Sequence, residues 1–139
     1  MGKVVTDIVI INLLDELKAD EGIIQRSAIR KIELKGVLVD TGATTLCLTK
    51  SSIQKLGLRV LREANVSTAS GFMPMKIYEG LKIMIGERVG TFDCVELPDG
   101  VEPMLGVIPL EMLGIEIDLQ KQRLVFLPDS GPRTYLSAK

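Results

Sequence analysis

A chain of 139 residues fits one domain with one core, and 46% apolar with 25% charged residues is the balance of a folded protein. Lys plus Arg number 17 against 18 Asp plus Glu, with no Trp, two Tyr and three Phe, so both the basic face and the aromatic platforms of a nucleic-acid binder are missing. His is absent altogether, which excludes Ser-His-Asp and Cys-His hydrolases and His-ligated zinc enzymes and leaves acid/base chemistry to carboxylates, Lys, Tyr or thiols.

Two-residue periodicity dominates and predicts an all-β architecture. Val4 to Ile11 is an alternating, β-branched run and the first expected strand. Leu13 to Glu21 is compatible with a short helix ended by Gly22, and Ile24 to Leu34 reads as the second strand. Gly36 precedes the apolar strand Val37-Leu38-Val39, and a further strand runs from Thr44 to Thr49. Ser51 to Leu56, with Thr49 as N-cap and Gly57 at the stop position, predicts a short helix. Val60 to Leu97 holds several strands separated at Ser70-Gly71, Gly80, Gly86 and Gly90, with Lys76 and Tyr78 on the solvent side of the alternation. Pro109 to Leu113, with Gly114 past its end, predicts a second short helix. Ile115 to Leu119 and Arg123 to Leu127 make a terminal hairpin around Gln120-Lys121-Gln122. One domain is therefore expected over 1–127, and 128–139 reads as a C-terminal tail unless something docks it.

Cys47 and Cys94 form no CxxC pair and read as reduced, mostly buried thiols, with no metal site between them. Met1-Gly2-Lys3-Val4 leads into alternation instead of an apolar signal core, and no apolar run approaches a membrane span, so a cytoplasmic chain is expected. A mean hydropathy of +0.27 is high for so small a chain and points to apolar surface covered by a second copy or lining a groove.

Val37-Leu38-Val39-Asp40-Thr41-Gly42-Ala43 sets one carboxylate at the end of an apolar strand, followed by Thr and Gly. Gly42 permits a tight turn that presents its neighbours' N-H groups to the carboxylate, and Thr41 offers a hydroxyl that can hydrogen-bond to another chain. Pro103-Met104-Leu105-Gly106-Val107 is a second apolar strand ending in Gly, able to pair beside the first and pin the Asp loop. Asp129-Ser130-Gly131 fits the same tripeptide, but it stands between Pro128 and Pro132 with only eight residues after Gly131 and no partner Gly element, and reads as a turn. Asp118 reads as a strand-end residue near the hairpin.

From Val4 to Leu127 the chain resembles a retropepsin-like aspartic protease of the short, genome-encoded, non-viral form. The resemblance rests on Val39-Asp40-Thr41-Gly42-Ala43-Thr44, on Met104-Leu105-Gly106 as the second apolar-apolar-Gly element, and on the helix and Ile117-Asp118-Leu119 that follow. Val66 to Phe72 resembles the family's flap, with Ala69, Ser70, Gly71 and Phe72 at its tip. The resemblance implies an acid-protease barrel, one lobe per chain with two short helices, active as a homodimer on a peptide or protein substrate without cofactor or metal. It makes Asp40 catalytic, Thr41, Gly42 and Ala43 the rest of the active-site loop, and Leu105 and Gly106 its support.

Peptide hydrolysis by carboxylates needs two of them, one ionised to take a proton from water and one protonated to polarise the scissile carbonyl. This chain supplies only Asp40, so two copies are expected to meet about a twofold axis, with Thr41 from each bracing the loops. Where viral members carry an acidic residue after the Gly-Ala and an Arg after the later Gly, this chain has Thr44 and Val107; both halves of that ion pair are missing together. Two alternatives stay open: a retropepsin-like dimer that binds peptides without cleaving them, and an unrelated β-barrel in which Asp40 is a turn residue.

Overall fold

The computed structural model describes residues 3–130 and 132–138. Strands β1 (Val5–Asn12), β2 (Lys31–Val39), β3 (Leu46–Leu48), β4 (Arg59–Thr68), β5 (Gly71–Ile85), β6 (Arg88–Glu96) and β7 (Met104–Leu105) form one sheet in the order β1-β2-β7-β3-β6-β5-β4. Because β1 also pairs with β5, the first six strands of that order close on themselves and β4 extends from β5 as a flange. Inward side chains such as Ile8, Ile10, Leu46, Leu48, Leu81, Ile83 and Leu105 fill the interior with almost no exposure. This all-β barrel has the retropepsin-like architecture that the sequence implies.

Among the described residues three short helices decorate it, one more than the two expected, because the helix-compatible segment after β1 does fold. In α1 (Leu13–Asp20) the buried Asn12 is the N-cap: its Oδ1 accepts from Asp15 N at 3.0 Å and its Nδ2 donates to Leu56 O at 2.7 Å. In α2 (Lys50–Leu56) Thr49 caps the start and Gly57 closes the end in the left-handed conformation, as its sequence predicts. In α3 (Val107–Met112) the helix begins two residues before Pro109.

The second strand begins at Lys31, not Ile24. Residues 24–30 instead pass through a 3-10 turn at Arg26–Ala28 and fold back on α1, where the buried Asp15 carboxylate accepts from Arg30 N at 2.9 Å, Nε at 2.8 Å and Nη2 at 3.0 Å. Nor do Gly36 and Gly80 interrupt their strands. At both, φ is positive and the ladder slips by one residue: Asp7 faces Lys35 and Gly36, and Asp93 faces Glu79 and Gly80. Each is a β-bulge that bends a continuous strand around the barrel, and the Asp7 carboxylate accepts from Gly36 N at 2.9 Å. Gly90 likewise lies inside β6, paired with Ile83.

The terminal hairpin forms as expected, from β8 (Ile115–Asp118) and β9 (Arg123–Phe126), but as a two-stranded sheet of its own. Asp118 ends β8 and its Oδ1 accepts from Lys121 N at 3.0 Å, which pins the turn. After Leu127 the chain makes a small ladder, β10 (Asp129–Ser130) with β11 (Arg133–Thr134), and Tyr135 docks it by donating to Met112 O at 2.9 Å.

Candidate active site

Val37 and Val39 are buried and Asp40 is half-buried, so Asp40 sits where β2 leaves the barrel interior. The chain then loops through Thr41 to Thr45 and re-enters as β3. β7 is threaded between these two stems, parallel to β2 (Leu38 with Met104, Val39 with Leu105) and antiparallel to β3 (Leu46 with Leu105). The expected pairing of the two apolar-Gly strands is therefore present, and β7 meets both sides of the loop.

Main-chain bonds hold the loop along its length. Asp40 N donates to Leu105 O at 3.0 Å, Gly106 N to Thr45 O at 3.0 Å, Val107 N to Ala43 O at 3.0 Å and Ile108 N to Thr44 O at 2.9 Å. Within the loop, Ala43 N donates to Asp40 O at 3.1 Å, and Gly42 N donates to the Asp40 carboxylate Oδ1 at 2.8 Å. The carboxylate is thus oriented by its own turn, and the turn is oriented by residues 105–108. Thr45 and Ile108 are site-building residues that sequence reasoning missed, and Thr44 and Val107, which stand in the two quoted motifs, gain this role only from the fold. All four act through main-chain atoms, which no side chain signals.

Thr41 and Gly42 are exposed and Ala43 is half-buried. Thr41 also lines a groove of about 350 Å³ with Val107, Leu110, Ile115, Ile117 and Leu119. The two free thiols, Cys47 on β3 and Cys94 on β6, are not activated nucleophiles. Burial, assisted by the negative charge of Asp40, pushes Cys47 up to about 11; burial, with smaller contributions led by Cys47, pushes Cys94 up to about 12.

The flap segment is the tip of the β4–β5 hairpin. Thr68 pairs with Gly71 around Ala69 and Ser70, and the Thr68 hydroxyl donates to Gly71 O at 2.6 Å while accepting from Ser70 N at 3.2 Å. Phe72, next to the tip, is 77% exposed. Further down β5, Lys76 faces solvent as expected but Tyr78 does not: it is buried, and its hydroxyl donates to Glu96 Oε1 at 2.9 Å. Lys76 and Tyr78 share one face of β5, but β6 pairs with β5 only from Ile77 onwards, so Tyr78 is covered where the strand joins the barrel and Lys76 is not. Asp129, the second match to the tripeptide, is exposed in the β10–β11 ladder, and its Gly131 lies outside the described residues.

Among the described residues no helix is long and apolar enough to cross a membrane. A search of curated proteins finds no match to the chain. The family model described as aspartyl protease matches residues 23–110, a span that contains the Asp40 loop, the β4–β5 hairpin and the Leu105-Gly106 strand. With well over half of its length matched and the strand-threaded Asp-Thr-Gly loop in place, the chain belongs to this retropepsin-like aspartyl protease family.

Proposed function

We propose that the chain is a homodimeric aspartic endopeptidase in which Asp40 from each copy forms the catalytic dyad. The observation that carries this is the clamped loop. A carboxylate fixed by Gly42 N on a turn bonded along its length to residues 105–108 is preorganised for chemistry, as a turn residue of an ordinary barrel need not be.

One Asp40 carboxylate, ionised, takes a proton from water as the water oxygen adds to the scissile carbonyl carbon. The other, protonated, gives its proton to the carbonyl oxygen, so the tetrahedral intermediate is a neutral diol. Collapse breaks the C-N bond as the carboxyl group newly protonated by water passes its proton to the leaving nitrogen. A diol proton returns to the other Asp40, restoring one charge and one proton on the pair. Thr41 braces the paired loops, and the β4–β5 hairpin closes over an extended substrate and excludes water. The exposed Phe72 and Met73 on that hairpin suit a substrate with apolar side chains. Two free thiols and no membrane-spanning helix among the described residues accord with a cytoplasmic enzyme.

The test is cleavage of a mixed peptide library by the wild-type chain and by Asp40→Asn and Asp129→Asn, over a dilution series. Cleavage is expected to vanish in Asp40→Asn, to persist in Asp129→Asn, and to fall per chain as dilution separates the dimer. Cleavage that survives Asp40→Asn, or a sedimenting monomer with full activity, refutes the reading.

A further inference from the structure

The six residues of α3 make fewer than two helical turns, too few to hold a helix on their own, so this helix is only as firm as its two ends. Its first end is fastened to the active-site loop. No side chain caps α3 at Gly106, and the N-H groups of its first two residues, Val107 and Ile108, are instead taken by the carbonyls of Ala43 and Thr44. Those carbonyls stand three and four residues after Asp40.

The other end has no basic residue in its last turn, and the cation that suits a helix end rich in free carbonyls comes from outside the helix. Arg88, half-buried at the start of β6, donates from Nη1 to Leu113 O at 2.6 Å and to Gly114 O at 3.3 Å, and from Nη2 to Leu127 O. Leu127 N in turn donates to Gly114 O at 2.9 Å, which ties the residues that Arg88 holds to one another. The guanidinium also lies over the rings of Phe126, at 5.6 Å, and Tyr135, at 5.1 Å. With carbonyls at its edge and rings at its face, the planar fork has one orientation. Lys, with a single ammonium group, cannot reproduce it.

We propose that Arg88 is a positioning residue for the Asp40 loop: by fixing the carbonyl end of α3 it holds Val107 N and Ile108 N against Ala43 and Thr44, with the helix as the strut between. This rests on the dyad reading, because the place of the loop matters to a rate only if Asp40 does the chemistry. Two further bonds, Asp40 N to Leu105 O and Gly106 N to Thr45 O, hold the loop ahead of α3. A slackened helix therefore misplaces the loop without releasing it. The donors of Arg88 all go to carbonyls of its own chain, so the loss falls on the chemical step and not on substrate binding.

The test is hydrogen exchange and steady-state peptide cleavage by the full chain as wild type, Arg88→Lys and Arg88→Gln, at protein concentrations where activity per chain no longer rises. In Arg88→Lys the amides of Val107 and Ile108 should exchange at least about tenfold faster while those of β1 and β5 keep their protection. In the same variant kcat should fall at least about tenfold and KM stay within about twofold of wild type. Arg88→Gln keeps a planar donor for one carbonyl and is expected to show the same pattern, so the test does not hang on one variant folding. Wild-type exchange at Val107 and Ile108, or faster exchange spread equally over β1 and β5, overturns the strut. A kcat equal to wild type beside a slackened α3 overturns the positioning role. If cleavage depends on Asp40 while both Arg88 variants match wild type in exchange and kcat, this inference alone fails. If cleavage survives Asp40→Asn, the dyad reading fails, and exchange still decides whether Arg88 holds the loop.

Discussion

A β-carbon built on Gly106 would lie 2.5 Å from the carbonyl oxygen of Ala43 and 2.6 Å from both N and O of Thr45. All three are main-chain atoms, and all belong to the loop that carries Asp40. No rotamer relieves such a contact. Gly106→Ala is therefore expected to push residues 43–45 outward and break the bonds from Gly106 N and Val107 N. The expected loss is about 3 kcal/mol in urea unfolding, with peptide cleavage at background even where the chain stays folded. An unfolding midpoint equal to that of wild type would contradict this packing.

Local signals were legible in the sequence, and long-range ones only where they left a short motif. The capped helix from Lys50 to Leu56 and the hairpin tip at Ala69-Ser70 are written in adjacent residues, so periodicity and turn chemistry found them. The Asp40 loop and its Leu105-Gly106 support were found as two motifs, but the register that joins Ala43 to Val107 and Thr45 to Gly106 uses main-chain atoms that no side chain advertises. In the sequence Gly36 and Gly80 read as breaks, because a bulge and a turn both use glycine at positive φ. Only the partner strand decides between them. Tyr78 reads as solvent-facing for a related reason: alternation says which residues share a face, and not whether that face is covered.

The Asp15–Arg30 pair gives the fold a predictable pH dependence. Hydrogen bonding from Arg30 is the main cause that holds the Asp15 carboxyl below its ordinary range, against burial, which works in the opposite direction. A carboxyl depressed in the folded state stabilises the fold above its unfolded value of about 3.9, and that contribution is lost as pH falls through the folded value. Asp15→Asn should destabilise the chain by about 2 kcal/mol near neutral pH. The gap to wild type should then narrow below about pH 4. Urea titrations at neutral and acid pH measure the gap, and one that stays constant would show that the charge is not what matters.

Phe72 separates function from stability. With 77% of the side chain exposed, Phe72→Ser removes almost no core packing, so the thermal midpoint should not move. If the hairpin tip closes on substrate, apolar contact is lost there and kcat/KM should fall by about tenfold or more. Steady-state cleavage of one library-derived peptide, beside a melting curve, reads both quantities. Full activity in this variant would take the β4–β5 tip out of substrate binding.

The half-buried Cys47 reports on Asp40 in a way that needs no substrate. Burial is the larger cause that pushes its thiol up to about 11 and the negative charge of Asp40 is the second, whereas the causes acting on Cys94 are burial and then Cys47, Asp93 and Glu96. The thiolate is the species that iodoacetamide attacks, so Cys47 should be alkylated slowly near neutral pH. Removing the Asp40 charge lowers the thiol's pKa, and Asp40→Asn should therefore quicken alkylation of Cys47 by about two- to fivefold without a matching rise at Cys94. The gain is bounded because burial, the larger cause, remains. A competing explanation is a loosened loop that simply admits reagent. Asp40→Glu tells the two apart, since it disturbs the loop by an added methylene but keeps the charge: easier access would quicken both variants, loss of charge only the first. Equal rates in wild type and Asp40→Asn would mean that the carboxylate does not act on Cys47, and that the loop does not hold it where the geometry places it.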